Sequence, residues 1–356
     1  MKTAVFTGGG TAGHVLPAVP VMRALQRRGV EVVFIGGADG LERRYLEGLD
    51  DVRFFGIASG KLRRYWSWRN LTDVARVLRG VWQSLRLIGR IRPSVVFSKG
   101  GHLSFPVVLA ARMRGIPIVA HESDFSPGLA NRLAMPFLDA LCTSFPMRRP
   151  GSLRGELVHT GSPVRPELLA GSAARGRKLV QAPAGRPVVL VTGGSLGADA
   201  LNEVVVEAAP ELVRECCLVH VCGPGKRTGP HLPGYRQYEF VGPDWGDMLA
   251  AADLVVSRAG SNTLFELLSL GKPNLLIPLP ARASRGDQIQ NADYAAEAGY
   301  SRVIQQEQLD ASTLVNAVLG MLSEKDAWAA RLARFEALPA VDLMVALIER
   351  TSAPSN

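Results

Sequence analysis

Two stretches share one local design: VFTGGGTAGHVLPA over Val5–Ala18 and VLVTGGSLGADALN over Val189–Asn202. Each begins as a β-branched run, breaks at glycines and continues into residues that suit a helix. Glycine tolerates φ > 0 and lets the backbone approach a ligand closely. The free N–H groups where a helix begins attract anions. Two such turns, one opening each half of the chain, predict two nucleotide-type α/β halves.

The rest of the pattern extends this. Short β-branched runs predict strands at Ala4–Thr7, Glu31–Ile35, Val52–Ile57, Ser94–Ser98, Ile116–Ala120 and Leu138–Thr143. The second half predicts them at Val188–Thr192, Leu218–Cys222, Gln237–Val241, Leu254–Ser257, Asn274–Ile277 and Arg302–Ile304. Helix-period segments lie between most of them, which implies parallel sheets covered on both faces. A Gly-, Arg- and Pro-rich junction divides the halves. The expected organisation is a domain over 1–160, a linker over 161–186 and a second domain over 187–325. A C-terminal segment over 326–356 is expected to pack back on the first domain. The stretch Asp310–Arg350 reads as two helices with a break at Glu324–Asp326. In doubly wound sheets ligands bind beyond the carboxyl ends of the strands, where the glycine turns lie, so a cleft between the halves is the expected binding place.

Composition excludes several classes. At 356 residues, 47% hydrophobic and 21% charged, the chain suits two ordinary folded domains. No apolar run approaches the ~18 residues of a membrane span. The start, MKTAVFTGGG, enters a strand without a signal-peptide core. Cys142, Cys216, Cys217 and Cys222 lack C-x-x-C spacing, so neither zinc nor a disulfide framework is expected, and the chain reads as cytoplasmic. The net charge of +9 is local. Between Lys61 and Arg92 nine basic residues face one acid, Asp73, for a net +8. The remainder is close to neutral, which argues against a general nucleic-acid binder.

The first turn, Gly8–Gly13, satisfies G-x-G-x-x-G, but the next strand ends Phe34-Ile35-Gly36-Gly37 without the acid that holds a dinucleotide ribose. A further turn, Ser98-Lys99-Gly100-Gly101, follows another strand. The most informative is SRAGSNTLFELL, Ser257–Leu268. There a strand ends, Gly260 to Thr263 open a helix with exposed N–H groups, and Glu266 follows one turn on. A carboxylate in that position can accept both hydroxyls of a ribose while the helix start faces phosphate or sugar oxygens. RGDQIQN, Arg285–Asn291, bunches polar groups that suit a sugar, although a solvated face would also explain them.

Taken in order, GGGTAGHVLPA, FSKGGHLSFPV, HESDFSPGLAN, TGSPVR, GGSLGADALN, SRAGSNTLFEL and RGDQIQNA resemble the MurG-like peptidoglycan N-acetylglucosaminyltransferases of the GT-B superfamily. The resemblance implies two Rossmann-like domains facing a cleft. It also implies transfer of N-acetylglucosamine from UDP-N-acetylglucosamine to the 4-hydroxyl of lipid I, with inversion, yielding lipid II and UDP. In the second domain it implies that Glu266 holds the ribose, the Val241 backbone reads the uracil, and Ser195 and Arg165 touch the diphosphate. Ser261, Asn262, Thr263, Asp287 and Gln288 would line the diphosphate and sugar. In the first domain it places Thr11 and Gly13 among the donor-binding residues, Thr11, His14 and the Glu122/Asp124 segment at the reacting centre, and Gly9, Gly10, Gly100 and Gly101 on the acceptor diphosphate. Two positions depart from the family pattern: Asp124 stands where Asn is usual, and His102 where Tyr is usual.

Chemistry adds its own demands. UDP leaves with negative charge that a metal or fixed dipoles must neutralise. No D-x-D occurs, so helix starts and Arg165 are the expected source, without a metal or other cofactor. Inversion in one displacement needs a base. His14 at a helix start is the first choice, with Asp124 or Glu122 the alternatives. Rival readings are a related GT-B transferase with another acceptor, a UDP-sugar epimerase, or a non-enzymatic nucleotide-sugar binder.

Between Asn70 and Arg90 an amphipathic helix is expected, with Leu71, Val74, Leu78, Val81, Leu85 and Ile88 packed on the first sheet. Before it, KLRRYWSWRN interleaves Arg63, Arg64, Tyr65, Trp66 and Trp68. Such a mixture suits the surface of an anionic membrane, each charge contributing ~1 kcal/mol there. The expectation is therefore a peripheral protein on the inner membrane face that binds no nucleic acid. RNA contact would use similar residues.

Overall fold

The computed structural model describes the chain except Thr11, Asp39, Leu41, Glu47, Gly48, Asp50, Ser59, 61–68, Ser195 and 354–356, and the side chains of Ala12, Arg44 and 69–74. The chain divides into two compact units: Met1–Pro163 with Leu338–Asn356, and Val164–Ala337.

The first unit is built on seven parallel strands: β1 (Thr3–Thr7), β2 (Glu31–Gly37), β3 (Val52–Ile57), β4 (Val95–Ser98), β5 (Ile118–Glu122), β6 (Ala140–Thr143) and β7 (Glu156–His159). Their order is β3-β2-β1-β4-β5-β6-β7. The second unit repeats the plan with β8 (Val188–Thr192), β9 (Cys217–Val221), β10 (Tyr235–Tyr238), β11 (Leu254–Ser257), β12 (Asn274–Leu276) and β13 (Arg302–Val303), ordered β10-β9-β8-β11-β12-β13. In each sheet the chain starts mid-sheet and reverses beside its first strand, between β1 and β4 and between β8 and β11. That reversal is the doubly wound switch point. The expectation of two doubly wound parallel halves holds.

The central strands are apolar on both faces because helices cover both. On one face of the first sheet Phe6, Phe34 and Phe97 pack with Met344, Val345 and Ile348 of the last helix, Ala340–Ser352. On the other, Val5, Ile35 and Val96 pack with Val107, Val108 and Ile88. In the second unit Leu201, Val205 and Leu212 of the helix Asp199–Glu215 cover Val189, Val191 and Val256.

Four expectations are corrected. β7 was not expected, because its Glu-Leu-Val-His sequence is a half-exposed sheet edge with no alternation to read. β10 ends at Tyr238, where its only neighbour, β9, ends at Val221, so Val241 lies in the loop beyond. The C-terminal stretch forms three helices, Ala311–Ser323, Lys325–Leu332 and Ala340–Ser352. Glu324 is a one-residue hinge, and the wider break ends at Pro339. The basic helix spans Arg69–Ile91, but its buried line runs through Gly80, Ser84 and Ile88. A Cβ at Gly80 would strike the Ala58 carbonyl oxygen, so the helix is pressed close on its small residues. Leu78 is consequently turned outward, 65% exposed, and Trp82 is 51% exposed. The side chains of Leu71 and Val74 lie outside the described residues.

A buried polar chain ties the second sheet together. His220 Nε2 lies 2.9 Å from Asn202 Oδ1, its Nδ1 lies 2.9 Å from the Tyr235 hydroxyl, and Asn202 Nδ2 donates to the Cys222 carbonyl at 2.8 Å. Burial pulls the His220 pKa down to about 4. The sign follows from linkage. The unfolded imidazole takes up a proton near pH 6.5 while the folded one resists it, so stability is complete above that pH and drains away as pH falls toward 4. We expect urea unfolding of the full chain to lose up to about 3 kcal/mol from this residue over that interval. In His220→Gln the slope should flatten; an unchanged slope would place the acid sensitivity elsewhere.

Candidate active site

The glycine turns at the carboxyl ends of β1 and β4 meet. A Cβ on Gly101 (φ +83°) would collide with the Gly9 carbonyl oxygen, and one on Gly10 would stand 2.8 Å from His102 Cε1. Gly9, Gly10, Gly100, Gly101 and His102 therefore form one surface. Of these, His102 was noted in the sequence only as a departure from a pattern. His14 closes a single 3-10 turn, Ala12–His14, and a second, Leu16–Ala18, separates it from the helix Val19–Arg27. The expected helix start at His14 is thus corrected. The prolines at 17 and 20 delay the regular helix because neither can donate a backbone N–H. His14 is partly buried, and its carbonyl packs against Gly8. Gly13 lies in the same turn. Thr11 lies outside the described residues.

Sequence reasoning missed Glu42. It is 1% exposed, and its Oε1 accepts the Gly10 N–H at 2.6 Å. A phosphate seeking that amide would compete with a carboxylate already there. No pattern pointed to it, because Gly40-Leu41 before it carries no capping side chain in the sequence.

At the end of β5, Glu122 is 5% exposed and carries three donors: the Asp124 N–H at 3.0 Å, the Gly128 N–H at 2.8 Å and Asn131 Nδ2 at 2.9 Å. Burial, then the neighbouring Asp124, pushes its pKa up, and the three donors oppose that. Both oxygens are committed, so Glu122 shapes the loop from Ser123 to Gly128 instead of presenting a free base. Asp124 is half-buried. Asn131 lies over Gly100 and also reaches the His121 carbonyl at 3.3 Å. It stood inside the quoted HESDFSPGLAN segment but was not singled out.

The second unit repeats the turn-on-turn device. A Cβ on Gly197 (φ +70°) would strike the Cys222 carbonyl oxygen, fixing the turn after β8 against the turn after β9. Ser195 lies outside the described residues. After β11, Gly260 precedes the helix Ser261–Ser269, whose first amides, on Ser261, Asn262 and Thr263, have no i−4 partners in the helix. Glu266 lies on that helix, and Arg165 donates to its Oε1 from both Nε (3.3 Å) and Nη2 (3.2 Å). Burial raises the Glu266 pKa and Arg165 opposes it. The structure therefore joins two residues that the sequence reading assigned to different parts of a ligand. Asp287 and Gln288 open the helix Asp287–Glu297. Asp287 Oδ1 is buried with no hydrogen-bond partner among the described residues, and Gln288 Oε1 accepts the Leu279 N–H at 3.0 Å. Val241 is partly buried beyond β10. Arg258, also missed, is 8% exposed and bonds the Ile277 carbonyl at 3.1 Å, bracing the ends of β11 and β12.

The expected membrane residues Arg63, Arg64, Tyr65, Trp66 and Trp68 lie outside the described residues. Downstream, the Arg86 guanidinium stacks on Trp82, 3.7 Å from the ring centroid, with Arg76, Arg79 and Arg90 also exposed.

Comparison with known proteins adds to this geometry. Residues 4–143 match the glycosyltransferase family 28 N-terminal domain and residues 188–346 its C-terminal domain. A Geobacillus thermodenitrificans protein is 43% identical over 99% of both chains. A Lachnospira eligens protein is 45% identical over 99% of this chain and 100% of its own. Both are named UDP-N-acetylglucosamine–N-acetylmuramyl-(pentapeptide) pyrophosphoryl-undecaprenol N-acetylglucosamine transferase. Among solved structures, Acinetobacter baumannii MurG is 25% identical, with a TM-score of 0.76 over 98% of this chain and 100% of its own.

The loop that Glu122 holds yields a test. In Glu122→Gln the new amide N–H₂ would face an N–H donor. The full chain should lose about 2–3 kcal/mol of stability, read from its urea midpoint. A midpoint that does not move would mean that the three bonds contribute nothing net.

Proposed function

The chain belongs to glycosyltransferase family 28, among its MurG-type members, and on that premise we propose that it transfers N-acetylglucosamine to lipid I. The donor is UDP-N-acetylglucosamine. The acceptor is the 4-hydroxyl of the muramyl sugar carried on a polyprenyl diphosphate with its peptide. The products are lipid II and UDP.

The observation that carries this reading is the Arg165–Glu266 pair, its carboxylate on the helix Ser261–Ser269, whose N-terminal end follows the Gly260 turn. Both arginine contacts fall on Oε1, so Oε2 is the oxygen offered to the ribose hydroxyls. The helix start and the guanidinium face the diphosphate, and fixed dipoles of this kind stabilise the charge that develops on UDP. In our reading this replaces the need for a metal in the chemical step. Ser195, the Val241 backbone, Asp287 and Gln288 complete the donor set.

In the step itself, O4 of the acceptor bonds to the anomeric carbon as the bond from that carbon to the diphosphate oxygen breaks on the opposite face. UDP takes the electron pair, and the configuration changes from α to β. The proton on O4 passes to a base. His14 is the group we assign, with Asp124 the alternative. The carboxylate of Glu122 is left out because its oxygens are already filled.

We also place the protein peripherally on the inner membrane face. No helix among the described residues is long and apolar enough to cross a membrane. Outward-facing Leu78 and Trp82, among Arg76, Arg79, Arg86 and Arg90, continue the aromatic and basic character of 61–68.

Three measurements test this reading. Glu266→Ala should weaken UDP-N-acetylglucosamine binding about tenfold or more by calorimetry, equivalent to about 1.4 kcal/mol; unchanged affinity would remove the ribose assignment. His14→Ala should lower kcat about 10²–10⁴-fold with donor affinity kept. Normal turnover would exclude His14 as base, and epimerised donor without acceptor product would indicate the epimerase reading instead. Replacing Tyr65, Trp66, Trp68, Leu78 and Trp82 by Ser should release the protein from phosphatidylglycerol vesicles in co-sedimentation, and undiminished binding would defeat the membrane assignment.

A further inference from the structure

Lys99 is the first residue beyond β4, 2% exposed, and neither the fold nor the proposed reaction has used it. Its backbone N–H donates to the Thr7 carbonyl at 2.8 Å, so it sits at the switch point of the first sheet. Its Cβ lies against Gly8, where an added Cβ would approach to 3.0 Å. Its ammonium reaches across to β5 and donates to the Ser123 hydroxyl, the residue between Glu122 and Asp124.

The groups facing it can be enumerated by element. From the end of β5 come Glu122 and Asp124, whose negative charges attract it. From the same strand comes His121, kept neutral by burial and by Lys99 itself. From β6 comes the Cys142 thiol, pushed up to about 12 and so uncharged. The local balance is one ammonium against two carboxylates. An unpaired charge buried to this degree is costly, and the two acids offset part of that cost for the ammonium.

Resting on the reading of the protein as a lipid I transferase, we propose that Lys99 is a positioning residue for the acceptor. Its ammonium fixes Ser123 and compensates the charge of the segment from Glu122 to Asp124, so that Asp124 is held and oriented for the hydroxyls of the acceptor sugar. Loss of that charge would leave two uncompensated acids at the acceptor site and would weaken the acceptor while sparing the donor contacts made by the second unit.

Titration offers a readout that a merely structural lysine would not give. Burial draws the Lys99 pKa down to about 8, with Glu122 and Asp124 resisting. The ammonium is therefore present below that pH and is lost as the pH rises through it. The experiment measures acceptor kcat/KM from neutral to alkaline pH, with donor affinity followed in parallel by calorimetry. The wild type should fall off near pH 8 through a rise in acceptor KM. Lys99→Arg, which stays charged, should retain most of the activity at neutral pH and carry the fall upward by about one pH unit or more. Lys99→Met should be low throughout, by about tenfold or more in acceptor kcat/KM, with no inflection near pH 8 and with donor affinity intact. An inflection near pH 8 that persists in Lys99→Arg, or acceptor kinetics unaltered in Lys99→Met, would overturn the inference. A wild type that makes no lipid II at all would instead overturn the functional reading on which it stands.

Discussion

Gly101 has no room for a side chain, because the Gly9 carbonyl oxygen occupies the space a Cβ would take. That contact locks the turn after β4 to the turn after β1, and the rest of the first unit's ligand-facing edge is arranged around it. Once the two turns touch, Gly10 lies under His102, Lys99 is enclosed below Gly8, and Asn131 is pressed over Gly100. The second unit solves the same problem with Gly197 against the Cys222 carbonyl. A parallel sheet sends every strand end to one edge, and two adjacent ends crowd each other at the switch point. Glycine relieves the crowding and leaves the amides reachable.

The crowding has an electrostatic consequence. Strand ends that approach this closely bury the side chains beside them, and several of those side chains ionise. Glu42, Glu122, Lys99 and Arg258 are each under 9% exposed, and Glu266 is shielded by Arg165. Each has a defined partner: the Gly10 amide, three N–H donors, a serine hydroxyl, two strand-end carbonyls, and a guanidinium. A buried ion without a partner would cost several kcal/mol, so these partners determine which loops can sit at the edge. The glycine turns and the buried charges are therefore one construction and not two.

How much of this the sequence discloses depends on the range of the physics involved. Central strands such as Thr3–Thr7 and Val188–Thr192 were legible because burial on both faces leaves mainly apolar residues, apart from terminal threonines. The edge strands were not. Glu156–His159 is half exposed, and Tyr235–Tyr238 is bounded by where its neighbour ends, which is a property of another segment. The second unit's site was readable as a local motif, since Gly260, the helix start and Glu266 lie within one and a half turns. What it lacked was Arg165, about a hundred residues away in sequence yet 3.2 Å from Glu266. In the first unit the pairing of Glu42 with Gly10 crosses a strand and a loop, and nothing in either segment announces it. Lys99 and Asn131 stood inside quoted motifs, but burial, which gives them their meaning, is visible only in three dimensions.

The helix Arg69–Ile91 shows why amphipathicity alone misplaces a surface. Periodicity selects the largest apolar residues as the buried stripe and would put Leu78 inward. Close packing selects the smallest. Gly80 and Ser84 face the first unit because only they let the helix settle against Ala58, whose N–H is also taken by Gln83 Oε1 at 2.7 Å. Leu78 and Trp82 are then left outside. Their exposure does not come from too few places in the core, because Ile88 and Leu85 of the same helix find them. Leu78 and Trp82 thus form an exposed apolar patch of the kind that contact surfaces use. The arginines around them, one stacked on the Trp82 ring, make the same face basic. The same close contact that fixes the helix to its unit thereby leaves a face that is apolar and basic at once, the feature on which the proposed membrane docking rests.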